Sequence, residues 1–253
     1  MPERPPIYAH RHGSEYGPEC SRAALEGSLA REVDGVETDV VLSADGEVFA
    51  LHDPILSIST DAEGWASETR AGDLKRVRLR DESGEPSEEH PITLREVLEA
   101  IPPQLPIQLD VKAYADHALA RDTARRACEV AIEHGTESRV ELISFFTGAC
   151  LAATELGVDA RLTAWADYDP EAMASWARAR GCIGVSLEGF ILDQRIVTPM
   201  KEAGLSVSIG AVNLIGQAER ILPLAPDILV SDRPRKLAEE IEALLAGRSS
   251  PIA

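Results

Sequence analysis

Two carboxylates, Glu37 and Asp39, stand two residues apart in an apolar, β-branched run of the chain. Side chains two apart on a strand point to the same face, so a strand here directs both carboxylates to one place. Hard divalent cations such as Mg²⁺ and Ca²⁺ take carboxylate oxygens as ligands. We interpret the pair as part of a metal site; the alternative is an ordinary strand with solvated acidic side chains.

A hairpin is predicted to bring an imidazole back towards these carboxylates. The Asp45-Gly46 pair is typical of a tight turn between two strands. The returning strand, 48–51, ends at His52. One short supersecondary unit therefore contains a candidate metal pair and a candidate acid or base.

Further reactive side chains follow two other apolar runs. His10 and Arg11 come directly after a run at 7–9, and Asp110 and Lys112 share one face at the end of a run at 107–111. Polar groups at the ends of buried strands are where barrel enzymes place their chemistry. We predict that these groups converge with the carboxylates and His52 on one mouth.

Alternating strand and helix signals predict the scaffold that holds these groups. Helix-period segments begin at good N-cap residues, such as Ser21 and Thr93. Strands are predicted at 7–9, 36–41, 107–111, 140–144, 159–163, 183–187, 205–209 and 228–231. Helices are predicted at 22–32, 94–101, 116–134, 147–156, 170–180, 192–203, 215–222 and 234–246.

Eight strand–helix repeats in a chain of 253 residues predict an α/β fold, a (β/α)8 TIM barrel. Strand 48–51 is then a hairpin extension after strand 2. The stretch 54–91 is interpreted as a long loop, with one short helix near 73–76, that forms a lid or rim. We predict one domain over residues 1–253. A doubly wound open sheet is the alternative, but no GxGxxG follows the first strand.

Composition limits the classes of partner. The chain has 25 Lys and Arg against 43 Asp and Glu, a net charge of −18, which disfavours nucleic acid and anionic membranes. An anionic small-molecule substrate would need local cations or a metal. The four cysteines are scattered, with no CxxC pair, and neither a signal peptide nor a long apolar span is visible. We therefore expect a cytoplasmic protein without stable membrane association; the oligomeric state stays open.

At these residues the sequence resembles the glycerophosphodiester phosphodiesterase family. The similar motifs occur in order from residue 9 to residue 234. They are the HRG...PENT opening (His10, Arg11, Pro18, Glu19), E-x-D (Glu37, Asp39), HDP (His52, Asp53, Pro54), P-T-L-E-E (91–98), E-x-K (Asp110, Lys112) and the later strand ends at 143–146 and 228–234.

The resemblance implies a metal-dependent phosphodiesterase that hydrolyses glycerophosphodiesters to an alcohol and glycerol 3-phosphate. It implies one divalent cation, Mg²⁺ or Ca²⁺, bound by Glu37, Asp39 and Asp110. Glu19 is an outer or additional ligand in this interpretation. The adjacent hydroxyl of glycerol would attack first, and water would open the resulting cyclic phosphate.

The remaining motif residues receive roles in binding and proton transfer. Arg11 and Lys112 are expected to bind the phosphate of the small-molecule phosphodiester substrate. The alternative for Lys112 is a simple ion pair with Asp110 or with a neighbouring helix. His10 and His52 are expected to act as the general acid and base, because histidine titrates near neutral pH. Which of the two is the acid is left open.

Several positions depart from the family motifs. His12 replaces a glycine, and we expect its side chain to turn away and cap the loop rather than act as a third functional imidazole. Cys20 replaces an asparagine. Asp110 replaces a glutamate and is one methylene shorter, which predicts a longer or water-mediated metal bond. Gly210-Ala211 replaces Trp-Thr, which removes a wall for the alcohol portion of the substrate.

These departures keep two other functions open. The same chemistry can serve a lysophospholipid or another diester. A barrel that binds a phosphorylated ligand without turnover is the non-catalytic alternative.

Overall fold

Eight parallel strands form a closed barrel at the centre of the protein. The computed structural model describes residues 4–165 and 169–248. Pairing of the first strand with the second closes the ring, and one further strand, β3 (Val48–Ala50), pairs antiparallel with β2 outside it. The barrel strands are β1 (Ile7–Ala9), β2 (Gly35–Leu42), β4 (Ile107–Val111), β5 (Val140–Ser144), β6 (Asp159–Ala164), β7 (Gly184–Glu188), β8 (Ser206–Gly210) and β9 (Ile228–Ser231).

The predicted TIM barrel with a hairpin extension after strand 2 is confirmed, and the open-sheet alternative is wrong. Helices connect the successive barrel strands, as parallel pairing requires. Within the described residues the α-helices are α1 (Arg22–Leu29), α2 (Leu56–Ser59), α3 (Ala71–Leu74), α4 (Leu94–Ala100), α5 (His117–Glu133), α6 (Thr147–Glu155), α7 (Pro170–Ala179), α8 (Gln194–Glu202), α9 (Ile215–Ile221) and α10 (Pro234–Arg248).

Local side-chain chemistry explains where two of these helices begin. The Ser21 hydroxyl accepts a hydrogen bond from the backbone N–H of Ala24 at the start of α1. Thr93 and Glu96 form a reciprocal capping box at the start of α4. The predicted caps are therefore confirmed.

Apolar side chains from the strands and the surrounding helices form the main core. An ion pair between Arg161 and Glu141 lies inside the barrel at the amino ends of its strands. Nε of Arg161 lies 2.7 Å from Oε2 of Glu141, and Nη1 of Arg161 donates to Ser206. Gly184 is required beside this pair, because a Cβ there would lie 2.2 Å from the Arg161 guanidinium. Arg161, Glu141 and Ser206 fill the barrel at the amino ends of its strands. The open mouth of the barrel is therefore at the carboxyl ends of the strands.

The segment 54–91 is more ordered than predicted. The long loop after the hairpin is confirmed, and the short helix predicted near 73–76 overlaps α3, but α2 and a 3-10 turn (Ala66–Glu68) were not predicted. Helices of four residues are too short to show a helical period in the sequence. They are stabilised by a second apolar cluster that joins the segment to the hairpin, made of Val41, Phe49, Leu51, Leu56, Ala66, Leu74 and Leu79.

Among the described residues, no helix is long and apolar enough to cross a membrane.

Candidate active site

Three buried carboxylates meet at the carboxyl ends of β2 and β4. Asp39 and Asp110 are register partners on these neighbouring strands, and Glu37 lies two residues before Asp39 on the same face. One oxygen from each lies within 4.8 Å of the others. The predicted convergence of these side chains is confirmed, whereas the solvated-acid alternative is wrong because their exposures are 2 %, 1 % and 7 %.

The donor set fits a hard divalent cation. Oδ1 of Asp110 is buried without a hydrogen-bond partner, and a bound ion is one way to satisfy such an oxygen. Three carboxylates also match the oxygen preference of Mg²⁺ and Ca²⁺. The group can therefore hold a metal ion, although Asp110 is shorter than a glutamate.

Lys112 is directed into this acidic group. Its Nζ lies 2.5 Å from Oδ2 of Asp110 and 3.1 Å from Oδ1 of Asp39. Burial raises the pKa of Asp39. The positive charges of Lys112, His52 and Arg11 lower it by more than burial raises it, so the net shift is downwards. Asp39 is thus the ionised member of the group.

Arg11 connects the first strand to the same group from the other side. It has a left-handed backbone (φ 50°), and its N–H donates to Oε2 of Glu37 over 2.8 Å. Its Nη1 donates to both oxygens of Glu19 at 2.8 Å, and its Nε lies 3.5 Å from Asp39. Glu19 pairs with Arg11 at the surface and is not one of the three clustered carboxylates.

The pKa values of the other two carboxyls are raised. Burial, and then the charge of Asp39, raise the pKa of Glu37 to about 8. Burial also raises the pKa of Asp110, against the lowering effect of Lys112. Without a cation, protonation relieves the repulsion among three acids in a small buried volume.

This raised pKa predicts a pH-dependent stability difference between wild type and Glu37→Gln in EDTA. Between the unfolded value of 4.5 and about 8, the native protein holds a proton on Glu37 that the unfolded chain releases. Stability from this group is therefore complete below the unfolded value and is lost as pH rises, by at most ~1.4 kcal/mol per pH unit. Gln is neutral throughout and lacks this loss.

Urea unfolding followed by circular dichroism at pH 5 to pH 8 measures the difference. The advantage of wild type over Glu37→Gln should shrink as pH rises, and added Mg²⁺ should restore it. Parallel stability curves for the two proteins would contradict the raised pKa.

His10 is held by a carboxylate at the far end of the chain. Its Nδ1 lies 2.7 Å from Oδ1 of Asp232, whose other oxygen accepts from Nδ2 of Asn213. Burial opposes the imidazolium, but the hydrogen bond to Asp232 and the charge of Glu37 give His10 a net raised pKa. The pKa of Asp232 is lowered although burial raises it, because His10 and Asn213 stabilise its anion. The ionised Asp232 accepts a hydrogen bond from Nδ1–H of His10, which leaves Nε2 of His10 as the nitrogen free for proton exchange.

His52 lies between two cavities at the mouth. Its Nδ1 is 3.1 Å from Oδ1 of Asp53. One cavity, of about 460 Å³, includes Arg11 and Glu19, and the other, also of about 460 Å³, includes Lys112. The hairpin thus brings this imidazole to the acidic group, as predicted from the sequence.

The structure also places the positions that depart from the family motifs. The His12 ring is buried with Nδ1 3.0 Å from the Ser21 carbonyl oxygen, and burial lowers its pKa to about 4. A neutral imidazole donating to the loop backbone confirms the capping role. The Cys20 thiol donates to Oδ2 of Asp39 over 3.6 Å, so this replacement lies beside the acidic group. Ala211 lies at the mouth, in a cavity with Phe190.

Three residues of the mouth were not predicted from the sequence: Asp232, Asn213 and Glu188. Asp232 is the first residue after β9, and Glu188 is the last residue of β7. Burial raises the pKa of Glu188, while His10 and Lys112 lower it, which places its carboxyl among these charges. Inspection of the first polar residue after every predicted strand would have identified Asp232 and Glu188.

Known proteins share this chain's sequence pattern. A model of the glycerophosphoryl diester phosphodiesterase family matches residues 10–236. Glycerophosphodiester phosphodiesterase from Caldanaerobacter subterraneus subsp. tengcongensis is 23 % identical over 91 % of this chain and 95 % of its own. Glycerophosphodiester phosphodiesterase 1 from Mus musculus is 32 % identical over 47 % of this chain, a stretch that spans only 37 % of the mouse protein.

Solved structures share the fold. A phosphodiesterase from Oleispira antarctica, in complex with the product sn-glycerol-3-phosphate, is 27 % identical, with a TM-score of 0.84 over 94 % of this chain and 97 % of its own. A glycerophosphodiester phosphodiesterase from Parabacteroides distasonis is 21 % identical, with a TM-score of 0.77 over 97 % and 98 %. The second likeness concerns the fold alone.

Proposed function

The chain belongs to the glycerophosphoryl diester phosphodiesterase family, and from this membership we propose that it hydrolyses glycerophosphodiesters to an alcohol and glycerol 3-phosphate. The observation that carries the proposal is the meeting of three buried carboxylates with histidines and cations at one mouth. A phosphodiester is anionic and poorly electrophilic, so its cleavage needs charge neutralisation and positioned proton transfer. The product complex of the Oleispira antarctica relative supports the same class of substrate.

One divalent cation, Mg²⁺ or Ca²⁺, belongs to this proposal. Glu37, Asp39 and Asp110 would hold it, and when bound it supplies Lewis-acid neutralisation of the phosphate charge. Asp39 is poised as an anion, whereas Glu37 must lose a proton before it can act as a ligand. Glu19 would act through its contact with Arg11 rather than as a direct ligand.

Arg11 and Lys112 would bind the phosphate. Nε of Arg11 is buried without a hydrogen-bond partner, which makes it an available donor beside the acidic group. Lys112 has two carboxylate neighbours in this structure. A cation on these carboxylates would weaken their attraction for Lys112, so its ammonium could turn to the substrate phosphate.

His10 and His52 would transfer the protons. Nε2 of one imidazole takes the proton of the attacking hydroxyl, and the other imidazole gives a proton to the leaving alkoxide. In the first step the adjacent glycerol hydroxyl forms a bond to phosphorus and the alcohol leaves. In the second step water opens the cyclic phosphate, its proton passing to the glycerol oxygen, and glycerol 3-phosphate results.

The test is product identification with glycerophosphocholine and glycerophosphoethanolamine in the presence of Mg²⁺ or Ca²⁺. We expect choline or ethanolamine in equal amount to glycerol 3-phosphate. Folded protein that turns over neither substrate with either metal would overturn the proposal. Ligand binding without turnover would then favour the non-catalytic barrel.

Asp232→Asn tests how His10 is positioned. An amide can donate to Nδ1 instead of accepting from it, which would stabilise the wrong imidazole tautomer. We expect kcat to fall about 10²- to 10⁴-fold with little change in KM. Loss of the carboxylate also moves the limb of the pH–rate profile that reports His10 towards lower pH, because the raised pKa depends on Asp232. Asp227→Asn, at the opposite end of β9, is the control; equal losses in both variants would indicate a structural role only.

We also propose a cytoplasmic location and one domain over residues 1–253. The four cysteines are free thiols and buried, which supports a reducing compartment. Fractionation of cells of the native host, with the protein measured in each fraction, tests the location.

A further inference from the structure

An apolar cavity, here called the aromatic pocket, opens directly beside the proposed catalytic groups. It has a volume of about 460 Å³, and His52 and Lys112 line its inner end. Its main walls are four aromatic side chains, Tyr114, Phe145, Phe146 and Trp165. Substrate sites are largely apolar with a few polar groups that fix orientation. A group attached to the phosphate and extending towards this pocket would therefore meet hydrocarbon rather than water.

The pocket is built from several separate parts of the fold. Tyr114 stands edge-on to Trp65 of the segment 54–91, with ring centroids 6.0 Å apart. Phe146 stands edge-on to His117 at 5.1 Å. These contacts hold the walls in place. A second cavity, of about 350 Å³, shares Phe145 and Trp165 with this pocket and is also lined by Met173 on α7.

The other side of His52 is polar. The cavity there, here called the polar pocket, includes Arg11, Glu19, Arg80 and Asp81. His52 and Asp53 line both pockets. A substrate with its phosphate beside His52 would thus extend a polar group one way and an apolar group the other.

Exposed apolar side chains are concentrated around the same mouth. Seven large apolar residues are exposed among those that the structure describes, and only Ile132, on the outer helix α5, lies away from the mouth. The other six either follow barrel strands or belong to the segment 54–91: Ile58, Trp65, Tyr114, Trp165, Phe190 and Leu214. Three of these six, Tyr114, Trp165 and Trp65, line or contact the aromatic pocket, and exposed apolar side chains concentrated there indicate contact with an apolar ligand.

We propose that the preferred substrate is a single-chain amphiphile, a glycerophosphodiester whose leaving alcohol carries a hydrocarbon chain that lies in the aromatic pocket. The glycerol then occupies the polar pocket. This inference rests on the proposed function, because it assigns the two sides of the diester cleaved at that site.

A quaternary ammonium such as choline is the other ligand that aromatic walls can bind. The ammonium of Lys112 already lies 5.8 Å from the centroid of the Phe145 ring, so a second cation there would meet a like charge. The Asp53 carboxylate is engaged by His52 and by Tyr114. The aromatic pocket and the second cavity, of about 460 and 350 Å³, share Phe145 and Trp165 in their walls, so an extended chain has apolar space on both sides of these rings. These observations favour a hydrocarbon chain over a quaternary ammonium as the group that binds in the aromatic pocket.

The test is a series of sn-glycero-3-phospho-n-alkyl diesters with butyl, hexyl, octyl and dodecyl groups. Each is assayed below the concentration at which it forms micelles, with glycerophosphocholine as the reference. Each methylene that becomes buried contributes ~0.8 kcal/mol, so kcat/KM should rise up to about fourfold per methylene until the aromatic pocket is filled. Lysophosphatidylcholine, with its chain on the glycerol, should gain much less.

Trp165→Ala removes one wall of the aromatic pocket. Because Trp165 is 58 % exposed, we expect the variant to fold with little loss of stability. The ratio of kcat/KM for octyl over butyl should fall about tenfold. Trp165→Phe should keep most of the ratio. Phe190→Ala, an exposed aromatic at the mouth outside this pocket, is the matched control and should keep the ratio.

The outcomes separate this inference from the proposed function. Turnover of glycerophosphocholine with no dependence on chain length would overturn the inference alone. A higher kcat/KM only with lysophosphatidylcholine would place the glycerol side, not the leaving alcohol, in the aromatic pocket. A raised KM for glycerophosphocholine in Trp165→Ala would show that the pocket binds a quaternary ammonium and not a hydrocarbon chain. Failure of every diester, including glycerophosphocholine, would overturn the proposed function itself.

Discussion

Chelation of the proposed divalent cation is expected to lower hydrolysis of glycerophosphocholine by about a thousandfold or more. Several kcal/mol of charge stabilisation by a metal corresponds to rate factors of this size. Glu37→Gln should produce a loss of similar size, because it removes one of three buried carboxylates that lie within 4.8 Å of each other. Steady-state rates with EDTA, and then with Mg²⁺ or Ca²⁺ restored, measure the effect.

A direct binding measurement separates this effect from misfolding. Isothermal titration of the metal into each protein should show one site in wild type and much weaker binding in Glu37→Gln. Glu47→Gln, on the same hairpin but outside the acidic group, should behave like wild type. Full activity in EDTA, or normal metal binding by Glu37→Gln, would exclude the proposed ligand set.

Replacement of either histidine that we propose as catalytic is the second large expected effect. His10→Gln and His52→Gln should each lower kcat about 10²- to 10⁴-fold, the range typical of general acid–base catalysis. His90→Gln, an exposed histidine in the segment 54–91, should retain wild-type activity. Circular dichroism confirms that each variant is folded.

A p-nitrophenyl diester of glycerol phosphate assigns the two roles. Its leaving group is a weak base that needs no proton, so the variant that lacks the general acid should recover most of its activity on this substrate. The variant that lacks the base should stay impaired on both substrates. Variants that each retain more than a tenth of wild-type kcat would contradict the two-histidine mechanism.

Local sequence patterns were sufficient for the barrel and for most of the acidic site. Strands 7–9, 107–111, 140–144 and 228–231 were predicted with the bounds that the structure has. Glu37, Asp39 and Asp110 could be placed together because the two-residue strand period and the common edge of parallel strands are general rules. These are properties of short segments, which is why a single sequence contains them.

The tertiary structure decided the contacts between distant segments. Asp232 meets His10 across 222 residues of sequence, and no local period relates the two. The segment 54–91 folds because its apolar side chains pack on the hairpin, whereas its four-residue helices leave no periodic pattern.

The charge arrangement within the site also depended on the fold. The sequence left open whether Lys112 binds phosphate or pairs with Asp110, and the structure sets its ammonium between Asp39 and Asp110. The structure also pairs Glu19 with Arg11. Which oppositely charged groups pair is determined by distance and burial, since attraction strengthens as water is excluded. The sequence by itself therefore determined most of the groups that reach the mouth of the barrel, but not Asp232, Asn213 or Glu188. Only the tertiary structure decided which of them touch, because a contact between chain segments is a property of their packing.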